Sequence, residues 1–232
     1  KMGSETVIAV GNDPDLTLIG CTDVDDNFLE MLTEKKPQTV VDFTHPDTVF
    51  NNTKSILENG SFAVIGTTGL ADDQLRQLDE ISKSNQVGVA ICPNFAIGAI
   101  LMMQLASKAA KHLPRAEIIE YHHDKKADAP SGTAIKTAQM IQENNPDINN
   151  ITLNETELIK GSRGGVCEQI PIHSVRLPGY IASQEVILGG LGQTLKFRHD
   201  TISRESFMPG VVLAIKEVTK TTGLTYGLEN FL

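Results

Sequence analysis

No stretch of this 232-residue chain stays apolar for anything near the ~20 residues that a bilayer-crossing helix requires, which excludes a helical span. Its start carries no basic-then-apolar leader pattern, so the expectation is a cytoplasmic protein with no membrane partner. Cysteine is scarce. Cys21, Cys92 and Cys167 lie far apart and form no C-x-x-C pair, poor material for a disulfide framework. They read as reduced, small, mostly buried side chains. Positive charge is also short: 20 Lys and Arg against 29 Asp and Glu leave a net charge of −9. That balance excludes a general nucleic-acid surface. It also repels anions, so an anionic ligand needs a local basic pocket.

What remains is ordinary globular material. Hydrophobic residues make up 40% and charged residues 21% of the sequence. The length suffices for one large or two modest domains.

The first half alternates strand and helix. Residues 15–21 (Asp-Leu-Thr-Leu-Ile-Gly-Cys) read as a strand ending at Asp23 and Asp25. Residues 39–43, 62–65 and 87–91 are short apolar runs, as in strands buried on both faces. Between them, residues 47–59 and 71–84 carry helical apolar stripes, and Gly60 is a stop signal. Such alternation implies right-handed crossovers and an α/β, doubly wound parallel sheet, whose ligands bind at the carboxyl ends of the strands. The loops there are Asp23-Val24-Asp25, Phe43-Thr44-His45-Pro46, Gly66-Thr67-Thr68-Gly69 and Cys92-Pro93-Asn94-Phe95. Each alone is also what an ordinary turn looks like; together they favour a nucleotide site.

The beginning departs from this pattern. A dinucleotide-binding fold opens strand, glycine-rich loop, helix, whereas residues 4–10 here read directly as a helix. Met2 and Gly3 then stand where such a loop ends, with the first strand and part of the loop absent. The stretch 26–36 is short as well. The expectation is a native chain longer than this sequence.

The richest segment runs from Glu117 to Ala134: Glu-Ile-Ile-Glu-Tyr-His-His-Asp-Lys-Lys-Ala-Asp-Ala-Pro-Ser-Gly-Thr-Ala. A strand through Ile118, Ile119 and Tyr121 delivers His122 and His123 to a loop, and Ser131-Gly132-Thr133 opens a helix over 133–143. Free amides at a helix start bind carboxylates. Lys125 and Lys126 supply positive charge, and a histidine suits proton donation near neutral pH. Plainer readings stay open: a solvated lysine turn, a helix cap, structural histidines. Adjacent histidines on a strand point to opposite faces, which makes a shared metal awkward, and no metal is expected.

This segment resembles the signature of the dihydrodipicolinate reductase family, Glu-Ile-x-Glu-x-His, three residues, Lys-x-Asp-x-Pro-Ser-Gly-Thr-Ala. Glu117, Ile118, Glu120, His122, Lys126, Asp128 and Pro130 to Ala134 fill every specified position. Val41-Asp42-Phe43-Thr44, Gly66-Thr67-Thr68-Gly69, Asn94-Phe95, His173-Ser174-Val175-Arg176-Leu177-Pro178-Gly179 and Gly189-Gly190-Leu191-Gly192-Gln193 extend the likeness over nearly the whole chain.

The resemblance implies a Rossmann-type domain (1–95 and 205–232) and a second α+β domain on a mixed sheet (96–204), which binds substrate and builds a homotetramer. Strands are expected at 170–176, 185–188 and 194–198, helices at 98–111 and 205–219, and hinges near Phe95 and Arg204. It further implies NAD(P)H-dependent reduction of a small cyclic dicarboxylate in the diaminopimelate and lysine pathway. His122 is then the general acid, or holds the group that is, and Lys126 is the charge that stabilises the electron-rich intermediate. His123, Ser131, Gly132 and Thr133 bind the substrate. Cofactor contacts fall to Met2, Gly3, Asp23, Phe43, Thr44, Gly66, Thr67, Thr68, Cys92, Pro93, Asn94, Phe95 and Arg204. Asp23 favours NADH through the ribose. Val24 replaces the basic residue that many relatives place after that acid, and Lys1 is a further phosphate contact; the reading is dual use of NADH and NADPH. Residues 157–168, glycine-rich and aperiodic, read either as a mobile substrate loop bearing Lys160 and Arg163 or as a plain surface connection.

Overall fold

The computed structural model describes residues 2–151 and 156–232, so Lys1 lies outside the described residues. The chain divides into two units, Lys1–Ile97 with Arg204–Leu232 and Gly98–Ser203.

The first unit is built on four parallel strands. Helices α1 (Met2–Asn12) and α2 (Phe28–Lys35) precede β1 (Thr39–Asp42), and α3 (Pro46–Glu58), β2 (Phe62–Ile65), α4 (Asp72–Ser84) and β3 (Gly88–Ile91) follow. Further along the chain the sheet is completed by α7 (Met208–Val218) and β9 (Gly223–Tyr226), giving the order β1-β2-β3-β9. Side chains of a strand alternate between faces. Ala63, Ile65, Val89 and Ile91 therefore share one face, where they cluster with Val49, Ile56 and Leu57 of α3 and Leu78 of α4. Val64 and Ala90 turn the other way and are fully buried too, on strands that α7 also contacts. Helices thus cover both faces, which is why these strands are apolar throughout. At the end of α3 the Ser61 amide reaches back to the Ile56 carbonyl across Gly60, whose φ of +77° a glycine adopts without strain.

Cys21, expected buried, is exposed, because it lies in the irregular segment before α2, and two expectations about elements need correction in this unit as well. Residues 15–21 are not a strand: a strand needs a neighbouring ladder for its N–H and C=O groups, and among the described residues no strand lies beside this mostly exposed segment. The helix expected over 205–219 is a 3₁₀ turn, Arg204–Phe207, followed by α7. Pro209 accounts for the division, since proline suits a helix's first turn and disrupts its interior.

The second unit carries a five-stranded mixed sheet in the order β5-β6-β4-β7-β8, with α5 (Ile97–Ala110) and α6 (Gly132–Asn144). Its strands are β4 (Arg115–His122), β5 (Gly165–Cys167), β6 (Ile170–Arg176), β7 (Ala182–Gly190) and β8 (Gln193–Thr201). Only β4 and β6 run parallel. The two helices are fastened together by the Ser107 hydroxyl donating to the Met140 carbonyl at 2.6 Å and the Asn145 amide to the Ala110 carbonyl at 2.8 Å. Part of the aperiodic stretch 157–168 is β5, joined to β6 by a two-residue turn in which Glu168 and Gln169 both have positive φ, 49° and 64°. That is the backbone of a tight hairpin written without its usual Asn-Gly.

Candidate active site

Strand β4 alternates strictly: Ala116, Ile118 and Glu120 are buried and the residues between them less so. The core-facing row thus runs Ala, Ile, Glu, and two residues on, at the strand's end, it delivers His122. Parallel pairing sets Ser174 of β6 beside Glu120 and Arg176 beside His122. Antiparallel pairing on the other side sets Gln184 of β7 beside Glu120.

These neighbours form one hydrogen-bonded set. Glu120, with 1% of its side chain exposed, meets the His122 ring Nδ1 through Oε2 and receives the Arg176 guanidinium on Oε1 at 2.7 Å. The same guanidinium nitrogen donates to the Asp128 backbone carbonyl at 2.8 Å. Asp128 in turn holds the Lys126 ammonium with both carboxylate oxygens at 2.7 Å. Burial alone pushes the Glu120 carboxyl upward, but hydrogen bonds from His122, Arg176 and Ser174 outweigh it and hold the group at about 2. A carboxyl held below its ordinary 4.5 stabilises the fold above that value and ceases to as pH falls toward 2. Thermal midpoints should therefore drop between pH 4.5 and 2, and less steeply in Glu120→Gln; parallel curves for the two proteins would contradict this assignment.

The residues that open α6 belong to the same unit as this sheet. The Ser131 hydroxyl caps α6 by accepting the Ala134 amide at 3.2 Å. Gly132 has nothing within 4 Å of where a side chain would begin, so the space beside its Cα is open. Thr137 donates to the Thr133 carbonyl at 2.7 Å and accepts from Gln184 at 2.8 Å, which ties the start of α6 to β7. His123 and Lys125 are exposed beyond the strand end. Lys160 is exposed as well, while Arg163 pairs with Glu117 at 3.0 Å.

In the other unit, the carboxyl ends of β1, β2 and β3 lie side by side, as the register and the bonds from Gly66 N–H to the Asp42 carbonyl and Cys92 N–H to the Ile65 carbonyl require. Asp42 is buried and organises this edge, accepting from the Thr44 amide and hydroxyl (2.8 and 2.7 Å), the Thr67 hydroxyl (3.1 Å) and the Asn52 amide (3.0 Å). Phe43 and Phe95 meet edge to face, their centroids 5.5 Å apart. A side chain on Gly66 would start 2.0 Å from the Phe43 ring. Thr44, Thr68 and Pro93 are exposed along the edge and Asn94 is half-buried, its side chain accepting the Ala96 amide. The Cys92 thiol is buried, and burial first and Glu229 second push it up to about 12, so it is present as the neutral thiol. With Asp42 turned inward, the edge offers hydroxyls, amides and an aromatic pair, a donor set that fits a phosphate- and ribose-bearing dinucleotide.

The remaining candidates lie on other elements. Met2 and Gly3 open α1, and Arg204 is exposed at the 3₁₀ turn before α7. Asp23 is exposed, and its hydrogen bonds stay local: its carboxylate accepts the Val24 amide at 2.8 Å and its own amide goes to Asp26.

Sequence reasoning passed over Glu120 and Arg176 as functional groups, and over Asp42 as an organiser. The signal for Glu120 was present: a carboxylate in the buried register of an alternating strand, two residues before a histidine.

A family model described as dihydrodipicolinate reductase, N-terminus, matches residues 1–95, and one described as dihydrodipicolinate reductase, C-terminus, matches residues 98–232. The chain is similar to the 4-hydroxy-tetrahydrodipicolinate reductases of Syntrophomonas wolfei (50% identical, covering 100% of this chain and 95% of the relative) and Listeria welshimeri (48%, covering 100% and 96%). Both alignments run over 252 positions against the chain's 232 residues, so at 20 positions within them this chain has no residue. Among solved structures, the dipicolinate-bound dihydrodipicolinate reductase of Paenisporosarcina sp. TG-14 is 44% identical, with a TM-score of 0.91 over 100% of this chain and 96% of that one. Both halves of the molecule, the acid-and-base set at the end of β4 as much as the hydroxyl-lined edge of the parallel sheet, are accounted for together: the chain belongs to the dihydrodipicolinate reductase family.

Proposed function

We propose that this chain reduces 4-hydroxy-tetrahydrodipicolinate to tetrahydrodipicolinate with NADH or NADPH, releasing water and consuming one proton. The observation that carries the reading is the linked set His122, Glu120, Arg176, Asp128 and Lys126, on a sheet that also anchors the open start of α6. Each of its cations, Arg176 and Lys126, is paired with a carboxylate, so a positive charge faces substrate only once Lys126 exchanges Asp128 for it. The solved relative's bound dipicolinate is a cyclic dicarboxylate of the same kind.

The nicotinamide, when bound, supplies the hydride that saturates one ring carbon. His122 donates the proton that the adjacent carbon takes up. Lys126 stabilises the negative charge that builds meanwhile. The Gly132 and Thr133 amides and His123 hold a substrate carboxylate; Ser131 acts through its cap, which fixes where those amides point. Residues at the carboxyl ends of β1 to β3 (Phe43, Thr44, Gly66, Thr67, Thr68, Cys92, Pro93, Asn94 and Phe95), with Met2, Gly3, Asp23 and Arg204, hold the dinucleotide. On this reading residues 1–95 and 205–232 are the dinucleotide-binding domain and residues 96–204 bind substrate. The three free cysteines support a reducing, cytoplasmic setting. The outward-facing strand β8, with Leu195 40% exposed and Leu191 exposed at the preceding turn, supports assembly into a homotetramer through this sheet.

Purified protein should consume reduced nicotinamide when substrate is generated in a coupled assay. Turnover with amino-acid or semialdehyde substrates in its place would overturn the reading. Asp23→Ala should weaken NADH more than NADPH in fluorescence titrations, because the lost carboxylate bonds the free ribose hydroxyls; equal losses would remove that contact.

A further inference from the structure

We infer that Glu120 is a positioning residue for the reaction: clamped by Arg176, it fixes the His122 imidazole with Nδ1 as donor and leaves Nε2 as the atom that faces substrate.

An ionised carboxylate can only accept, so the nitrogen it meets must carry a proton. Glu120 is buried and meets Nδ1. Neutral imidazole has one N–H; held at Nδ1, it leaves Nε2 to take up or release the mobile proton. The residues around the pair leave few other partners. Arg176 of β6 holds the second oxygen of Glu120, and Ser174 also donates to the carboxylate. The β7 residues opposite Glu120 and His122 are Gln184 and Ala182, and α6 buries Ala134, Thr137, Ala138 and Ile141, all uncharged. In the loop after β4, Lys126 and Asp128 are paired with each other and joined to Arg176 through the Asp128 carbonyl, while His123, Asp124 and Lys125 are exposed. One guanidinium therefore holds both the imidazole's carboxylate and the loop that carries the lysine. A carboxylate in a core-facing row has a high desolvation cost, and shaping a neighbour's proton geometry accounts for its presence there.

This inference rests on His122 being the proton donor of the proposed reduction, and the test separates the two. Nitrogen NMR of imidazole-labelled protein reads the His122 tautomer without any substrate. Wild type should show the proton on Nδ1. Glu120→Gln preserves shape and removes the charge, and should give a mixture of tautomers and ~ten- to hundredfold lower kcat with little change in KM. Arg176→Lys should restore part of the activity that Arg176→Met loses. If His122→Ala abolished turnover while Glu120→Gln kept the wild-type tautomer and kcat, the inference would fail and the proton-donor reading would stand. If His122→Ala turned over normally, the donor reading would fail and the positioning role with it.

Discussion

Replacing His122 with alanine lowers kcat about a hundredfold, the usual cost of losing a general acid, while leaving cofactor affinity near wild type. The separation follows from the architecture. His122 belongs to the mixed sheet of one unit, and the proposed dinucleotide residues belong to the parallel sheet of the other. Its imidazole is largely buried, with 15% of the side chain exposed, and Glu120 remains behind when it is removed. Arg176 still neutralises that carboxylate, so the variant should fold. Steady-state rates with saturating substrate, set beside NADH and NADPH titrations, measure both quantities. Equal rates for variant and wild type would remove the imidazole from the chemistry, and a parallel loss of cofactor binding would mean global damage. Lys126→Ala should also lower kcat strongly, for a different reason. Its ammonium is held by Asp128 and must exchange that partner to serve an electron-rich substrate.

Much of this was legible because the relevant patterns are local. Short, largely apolar runs marked β1, β2 and β3, and the long motif through Pro130 to Ala134 marked the start of α6. What escaped was decided by neighbours distant in sequence. Residues 15–21 have a strand's composition, and composition cannot supply a ladder partner. Strand β9 is only Gly-Leu-Thr-Tyr, and its identity comes from pairing with β3 more than 130 positions earlier in the chain. The β5–β6 turn uses Glu168 and Gln169, residues seldom found with positive φ, so no turn signal announced it. Arg176 became part of the site only through the β4–β6 register, which no spacing in the sequence encodes.

Gly210→Ala is expected to lower stability, and two opposed effects decide its sign. Gly210 lies within α7 and its φ is not in the positive range, so helix propensity alone favours alanine by about 1 kcal/mol. Against that, the added Cβ would stand 2.1 Å from the Phe95 carbonyl oxygen and 2.8 Å from Leu228 Cδ2. A flexible side chain could swing away; a backbone carbonyl moves only with its segment. Overpacking of this kind costs about 1–3 kcal/mol and here belongs at the upper end, because the struck atom is backbone. Sterics therefore win. The displacement would reach further, since Phe95 is 3% exposed and packs on Phe43, whose ring covers Gly66 at the proposed cofactor edge. NADH and NADPH affinities should fall with the unfolding midpoint. Gly11→Ala supplies the contrast: it also lies in a helix, α1, but nothing stands within 4 Å of its added carbon. Urea denaturation should show Gly210→Ala less stable than wild type and Gly11→Ala equal or slightly more stable. If the two changed stability alike, the close approach of α7 to Phe95 would not be the constraint that keeps residue 210 a glycine.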